Sequence, residues 1–265
     1  MSPDFRHRRG HKLHYVEQGD GDHIVFAHGY VMDHTMYAAQ FEELPKNYHC
    51  VAWDMRGHGH SDTPDGPWTI DDLVADLAEF IEGVASPCHL VGMSLGGMTA
   101  VRVALDRPDL VRSLTMIDSS ADALPAESVD DYHGFLRSIE RDDGLTDELA
   151  RSTLPLFYGQ PYMDANPDAM TYHVDRATSM SQEALYEGLR VLTERGSVVD
   201  RLAEIKVPTL VIHGELDLAI EMKFGEQVAN GVPGAKLVKI PGAGHSTPIE
   251  APDAVNEALS LFVAG

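Results

Sequence analysis

Gly92-Met93-Ser94-Leu95-Gly96 is the stretch on which the reading of this chain turns. Before it, Cys88-His89-Leu90-Val91 is a short apolar run of the kind that forms a buried strand. After it, Thr99 to Asp106 has the spacing of a helix. A serine at the corner between strand and helix sits on a turn so tight that its neighbours two residues away must be small. Glycine meets that demand because it has no Cβ to clash. Few functions other than nucleophilic catalysis need a serine held in such a position.

Outward from this corner, strands and helices alternate. Lys12 to Gln18 alternates as a strand, with Leu13, Tyr15 and Val16 turned inward, and Asp20-Gly21-Asp22 is a turn. His23 to His28 is a continuous apolar strand, as parallel sheets require when both faces are covered. A helix is expected over Thr35–Leu44, stopping at Pro45, and the next strand over Tyr48–Trp53. Ile70 to Gly83 carries Ile70, Leu73, Val74, Leu77, Phe80 and Ile81 at helical spacing, with Asp71 and Asp72 in the first turn. Val111 to Ile117 is a further strand. The pattern is that of a doubly wound parallel sheet. It breaks at Ser119. From Ala121 to Asp200 only amphipathic helices are expected, around Val129–Arg141, Asp147–Phe157, Met170–Met180 and Gln182–Glu194. Alternation resumes with a strand over Val207–Ile212, a helix from Glu221 to Asn230, a strand over Lys236–Ile240 and a helix over Pro252–Val263. The expected organisation is a core domain of residues 1–120 and 201–265 with a helical cap of residues 121–200.

Composition narrows the partners. Hydrophobic residues make up 43% of the 265, enough for a large core, and no apolar run approaches a membrane span. The first ten residues are basic through Arg6, Arg8 and Arg9 but lack an apolar segment behind them, so no secretory signal is expected. A formal charge of −22 argues against nucleic acid and anionic membranes, which would be repelled. Cys50 and Cys88 are too few for a disulfide framework, and a reducing cytoplasm is the expected setting. Although there are 14 His, His-Glu-x-x-His and Cys-x-x-Cys spacings are missing, and neither a metal nor a cofactor is expected. His58 and His60 read as loop scaffolding.

A serine hydroxyl needs a base to take its proton and an acid to orient that base. Asp217 follows the strand ending near Ile212, and His245 follows the strand ending at Ile240. Both therefore leave the C-terminal edge of the sheet, as Ser94 does, in the order Ser, acid, His. Asp118 also ends a strand and is a rival for the acid. An oxyanion hole requires two N–H donors. The backbone of Leu95 offers one, and Tyr30, after His28-Gly29, offers the other. His28 itself suits a buried structural role.

Taken with Asp54-Met55-Arg56-Gly57-His58-Gly59-His60-Ser61 and Gly97, these motifs resemble the α/β-hydrolase superfamily, in order, over roughly residues 10–120 and 200–263. The resemblance implies a mostly parallel eight-stranded α/β sheet flanked by helices, with a small helical cap inserted after the sixth strand. It implies a triad of Ser94, Asp217 and His245 with Tyr30 and Leu95 in the oxyanion hole. It also places the strand of His23–His28 between those carrying Cys50 and Cys88, two strand spacings of roughly 9–10 Å apart, too far for a disulfide. Serine rather than aspartate at 94 excludes the haloalkane dehalogenase and epoxide hydrolase branches. Many relatives have His before the nucleophile, where Met93 stands here and would make the pocket floor more apolar.

The expected reaction is hydrolysis of a small carboxylic ester or lactone through an acyl-enzyme on Ser94. Alternatives are a C–C bond hydrolase, an enol-lactone hydrolase, a cofactor-free perhydrolase or haloperoxidase, and a ligand-binding receptor on the same fold. A homodimer is compatible with all of these. Leu154, Leu156, Phe157, Tyr158, Tyr162 and Met163 are expected, with Met93, to supply apolar walls. Between Ala121 and Asp200 there are sixteen Asp or Glu against six Arg and no Lys. Such a cap should disfavour polyanionic substrates such as acyl-CoA unless Arg137, Arg176 or Arg190 turns inward, and it counts against the C–C bond and carboxylated enol-lactone hydrolases, whose substrates resemble dicarboxylates.

Overall fold

The computed structural model describes residues 4–142 and 144–265. Met1–Pro3, the start of the basic N-terminal stretch, and Asp143, one of the acidic residues counted above, lie outside the described residues. Eight strands form one sheet in the order β1-β2-β4-β3-β5-β6-β7-β8. They are β1 (Asp4–Arg6), β2 (Lys12–Gln18), β3 (His23–Ala27), β4 (His49–Trp53), β5 (Cys88–Met93), β6 (Val111–Ile117), β7 (Thr209–Gly214) and β8 (Lys236–Ile240). β1 and β2 are antiparallel to their neighbours, and every other pairing is parallel. β1 was not anticipated, being only three residues long with a single apolar residue, Phe5, between Asp4 and Arg6. β7 starts two residues later than expected because Pro208 has no N–H to donate, although its carbonyl still accepts from Leu114.

The helices are α1 (Ala38–Glu43), α2 (Ile70–Val84), α3 (Leu95–Asp106), α4 (Val129–Arg141), α5 (Asp147–Phe157), α6 (Gln160–Ala165), α7 (Pro167–Ser179), α8 (Gln182–Glu194), α9 (Met222–Gly231), α10 (Thr247–Glu250) and α11 (Pro252–Val263). α2 begins on a reciprocal cap in which the Thr69 hydroxyl accepts from the Asp72 N–H and the Asp72 carboxylate accepts from the Thr69 N–H. Between β6 and β7 the regular elements among the described residues are all helices, α4 packing on α8 and α5 on α7. None of the described helices is long and apolar enough to cross a membrane.

Alternate residues of the central strands feed two cores. Val25, Ala27, Leu90, Leu114 and Val211 pack with α2 and α3 on one face of the sheet. Ile24, Phe26, Val91, Ile117 and Ile212 pack with α11 on the other. A strand covered on both faces has no polar side, which is why these runs are continuously apolar. β3 does separate Cys50 on β4 from Cys88 on β5. Both thiols are free and buried, and burial pushes each up to about 12.

Candidate active site

Ser94 stands between β5 and α3 with φ 51° and ψ −118°, a backbone state that costs a non-glycine residue about 1–3 kcal/mol. The flanking glycines show why the turn can be held. A Cβ on Gly92 would lie 2.4 Å from the Gly96 carbonyl oxygen, and one on Gly96 would lie 2.1 Å from that of Ala27. The constraint inferred from sequence is therefore real at both positions.

Asp217 and His245 arrive from the loops after β7 and β8. The Ser94 Oγ–H donates to His245 Nε2 at 3.0 Å, and His245 Nδ1–H donates to Asp217 Oδ2 at 2.8 Å. The second bond sets the tautomer, because an ionised carboxylate can only accept. Asp217 Oδ1 takes the N–H groups of Ala219 and Ile220 at 2.9 and 2.8 Å. Burial pushes the Asp217 carboxyl up, but the His245 charge and hydrogen bonds from His213, His245 and Ile220 outweigh it and hold the group below its usual range. For His245, burial acts downward, and the charge of Asp217, its hydrogen bond and the charge of Asp118 together carry the imidazole above its ordinary value. All three side chains are at most 7% exposed.

Asp118 is not brought to His245. Its Oδ1 accepts from Gly214 N–H at 2.8 Å, and its Oδ2 accepts from the N–H and hydroxyl of Thr247 at 3.0 and 2.7 Å. It thus ties the end of β6 to β7 and α10. Burial and the neighbouring Asp217 charge push its carboxyl up.

The loop bearing Tyr30 lies against the serine, since a Cβ on Gly29 would be 3.3 Å from Ser94 Cβ. Among the described residues, no protein acceptor takes the N–H of Tyr30 or of Leu95, the first residue of α3. The Tyr30 hydroxyl instead reaches α8, donating to the Leu185 carbonyl at 2.7 Å. His28 is fully buried, its Nε2 accepting from Met55 N–H and its Nδ1–H donating to Gly29 O. Burial lowers it, so it is a neutral bracket between two loops. His58 Nδ1–H donates to Arg56 O, and burial holds that ring down to about 3.

Glu250 gave no signal in the sequence yet organises the histidine loop. Its Oε2 accepts from Gly244 and Gly159 N–H at 2.9 and 2.8 Å, and its Oε1 accepts from Ser246 N–H at 2.9 Å. One carboxylate from α10 therefore grips both residues flanking His245 and the link between α5 and α6.

A cavity of about 440 Å³ opens beside Ser94 and His245, within the usual range for a small-molecule site. Its walls correct several expectations. Leu156 and Phe157 line it, but Met93, Leu154, Tyr158, Tyr162 and Met163 do not. Met93 is 1% exposed and sits beneath Gly29, because the strand directs it into the core, and Met98 of α3 faces the cavity in its place. None of the three arginines whose inward turn would have offset the acidic cap lines the cavity. Arg176 donates to Val31 O, Arg190 pairs with Glu187 and Glu194, and Arg137 is exposed. The arginine that lines the cavity is Arg195, just past α8.

His7 and His11 form a His-x-x-x-His pair, a metal spacing wrongly taken as absent in expecting no metal site. They lie with Asp76, His11 Nε2 being 3.2 Å from its Oδ1. Arg56 already donates to both oxygens of that carboxylate, at 2.6 and 2.7 Å, so a cation there would meet a guanidinium. Asp118, His213 and Asp217 also converge, as part of the arrangement just described.

A sequence model of the Alpha/beta hydrolase family matches residues 24–258. The chain is 30% identical over 261 residues to a pimeloyl-[acyl-carrier protein] methyl ester esterase of Xanthomonas campestris, covering 95% of this chain and 99% of that protein. It is 26% identical over 241 residues to 3-oxoadipate enol-lactonase 1 of Acinetobacter baylyi, covering 91% and 88%. Among solved structures, the enol-lactonase from Burkholderia xenovorans LB400 superposes with a TM-score of 0.90 at 26% identity over 99% of this chain and all of that one. With strand order, the strained serine and a family match spanning most of its length in agreement, the chain belongs to the alpha/beta hydrolase family and is an enzyme of it.

Proposed function

We propose that this protein is a serine hydrolase that cleaves a small carboxylic ester or lactone through an acyl-enzyme on Ser94, with residues 121–200 acting as a lid over the core. The observation that carries this reading is the unbroken chain from Ser94 Oγ through His245 to Asp217, opening on a cavity of about 440 Å³. Ser94 Oγ attacks the carbonyl carbon while His245 Nε2 takes its proton. The oxyanion of the tetrahedral intermediate is held by the N–H groups of Tyr30 and Leu95. Collapse breaks the carbon–oxygen bond to the alcohol, which leaves with the proton from His245. Water then gives a proton to the same nitrogen and attacks the acyl carbon, and Ser94 recovers its proton as the acid departs. Asp217 keeps the imidazole in the right tautomer and stabilises its charged form throughout.

The test is a panel of p-nitrophenyl esters of graded chain length, together with lactones, run on wild type and Ser94→Ala. Turnover that falls by at least about 10³-fold in the variant is expected. Fluorophosphonate should label Ser94 and no other serine. A wild type that turns over no member of the panel and is not labelled would sink the proposal.

A further inference from the structure

The wall of the cavity beside Ser94 carries a cation that touches no carboxylate among the described residues. Arg195 is 7% exposed. Its Nε donates to Asp122 O at 2.9 Å, and its Nη1 donates to Leu192 O. Both acceptors are backbone carbonyls, and among the described residues Arg195 makes no ion pair. The Asp122 charge still favours the cation from beyond ion-pair distance, but several acidic side chains nearby make their contacts with other groups. Asp122 accepts from Ala123 N–H and Gln227, Glu194 pairs with Arg190, and Glu221 pairs with Lys223.

A second guanidinium stands behind the first. Arg102, on α3 and 5% exposed, donates from Nη1 to Met98 O and from Nη2 to the carbonyls of Arg195 and Gly196. It too makes no ion pair among the described residues. Burial lowers both groups, and the repulsion of Arg195 adds to it in Arg102, which is held down to about 10. A buried charge without a counter-charge is costly, and two close together more so. Nη1 caps α8 on Leu192 O and Nε is held by Asp122 O, which together fix the plane of the guanidinium. Its Nη2 has no acceptor among the described residues, and Arg195 lines both the cavity that Ser94 lines and a second one beside Arg102. A planar guanidinium offers paired donors that match the two oxygens of a carboxylate. Much of the remaining wall, such as Leu124, Phe135, Leu192 and Phe224, is apolar, its polar part includes Ser120, Ser128, Tyr132 and Thr153, and no other arginine or lysine lines it among the described residues.

We infer that Arg195 is a specificity residue that binds a carboxylate on the substrate, so that the ester or lactone opened at Ser94 carries one anionic group away from the scissile carbonyl. This rests on the serine hydrolase reading above. It qualifies the expectation drawn from the acidic helices, because among the described residues Asp131 is the one acid of that segment that lines the cavity, and Arg195, one of its six arginines, lines it too. Asp131 and Glu221 at the wall still disfavour a polyanion, which limits the substrate to a single carboxylate.

The test compares monomethyl glutarate and monomethyl adipate with methyl pentanoate and methyl hexanoate. Wild type should prefer the half-esters by at least about tenfold in kcat/KM, and the ratio should collapse in Arg195→Gln and be partly kept in Arg195→Lys. A ratio near one in wild type, or an unchanged ratio in Arg195→Gln, overturns the assignment. Because Arg195 also caps α8, a readout on the unaltered protein is needed should the variants not fold. Free hexanoate should slow fluorophosphonate labelling of wild-type Ser94, and hexanamide should not. Equal protection by the two overturns the carboxylate assignment while leaving the serine hydrolase reading intact, whereas absence of labelling and turnover defeats the reading itself.

Discussion

Two carboxylates end strands at the same edge of the sheet, and their hydrogen bonds separate their duties. Asp217 presents an oxygen to His245 Nδ1, whereas Asp118 spends both oxygens on backbone and hydroxyl donors of β7 and α10. Asp217→Asn should therefore lower kcat by about 10⁴-fold with the fold retained, because an amide permits the wrong imidazole tautomer. Asp118→Asn should instead destabilise by about 1–3 kcal/mol in urea unfolding, since an amide nitrogen must then face a donor, with kcat kept within about tenfold. Reversed outcomes would exchange the two assignments. The sign of the pH dependence follows from His245, which must be neutral to take the serine proton. Its folded value is raised above the ordinary 6.5, burial being outweighed by Asp217, so kcat/KM should fall as pH drops through a midpoint above 6.5. In Asp217→Asn that midpoint should move to lower pH, and a midpoint at or below 6.5 in wild type would contradict the assignment.

At the scale of elements, the site is assembled by loops that have little regular structure to hold them. α10 is only four residues long, yet its Glu250 collects three N–H groups from the histidine loop and from the link between α5 and α6. Glu250→Ala leaves those donors without their acceptor. The expected result is a loss of about 1–3 kcal/mol in unfolding free energy and a fall in kcat larger than any rise in KM, since His245 loses its placement rather than the substrate its pocket. Wild-type kcat in a folded Glu250→Ala would show that the loop holds itself. The strands and most helices were legible beforehand because period and punctuation are local. Glu250 was not, since it works through contacts 6 and 91 residues away.

Over the whole molecule, 42 acidic residues face 20 basic ones, and many of the latter are already paired with a neighbour. The surplus negative charge repels itself across the surface. Raising sodium chloride from about 10 mM to about 0.5 M shortens the reach of that repulsion and should raise Tm by at least about 2 °C. A Tm that stays flat or falls would mean that the ion pairs, not the surplus, govern the electrostatics. The same surplus gave no hint that Arg195 lines the cavity, because a count of charges along a segment does not say which of them a helix end turns inward.

What the amino-acid sequence determined by itself was the order of strands and helices, the glycine-flanked corner at Ser94 and the presence of an acid and a histidine after later strands. Those features are set by period, by the absence of a Cβ and by the place where an apolar run ends, all within a few residues. Only the tertiary structure decided that Asp217 rather than Asp118 meets His245, that Met93 is turned away from the cavity, and that Arg195 rather than Arg137, Arg176 or Arg190 enters it. Each of these is a choice among chemically equivalent side chains, made by which loop reaches which atom once the sheet has closed.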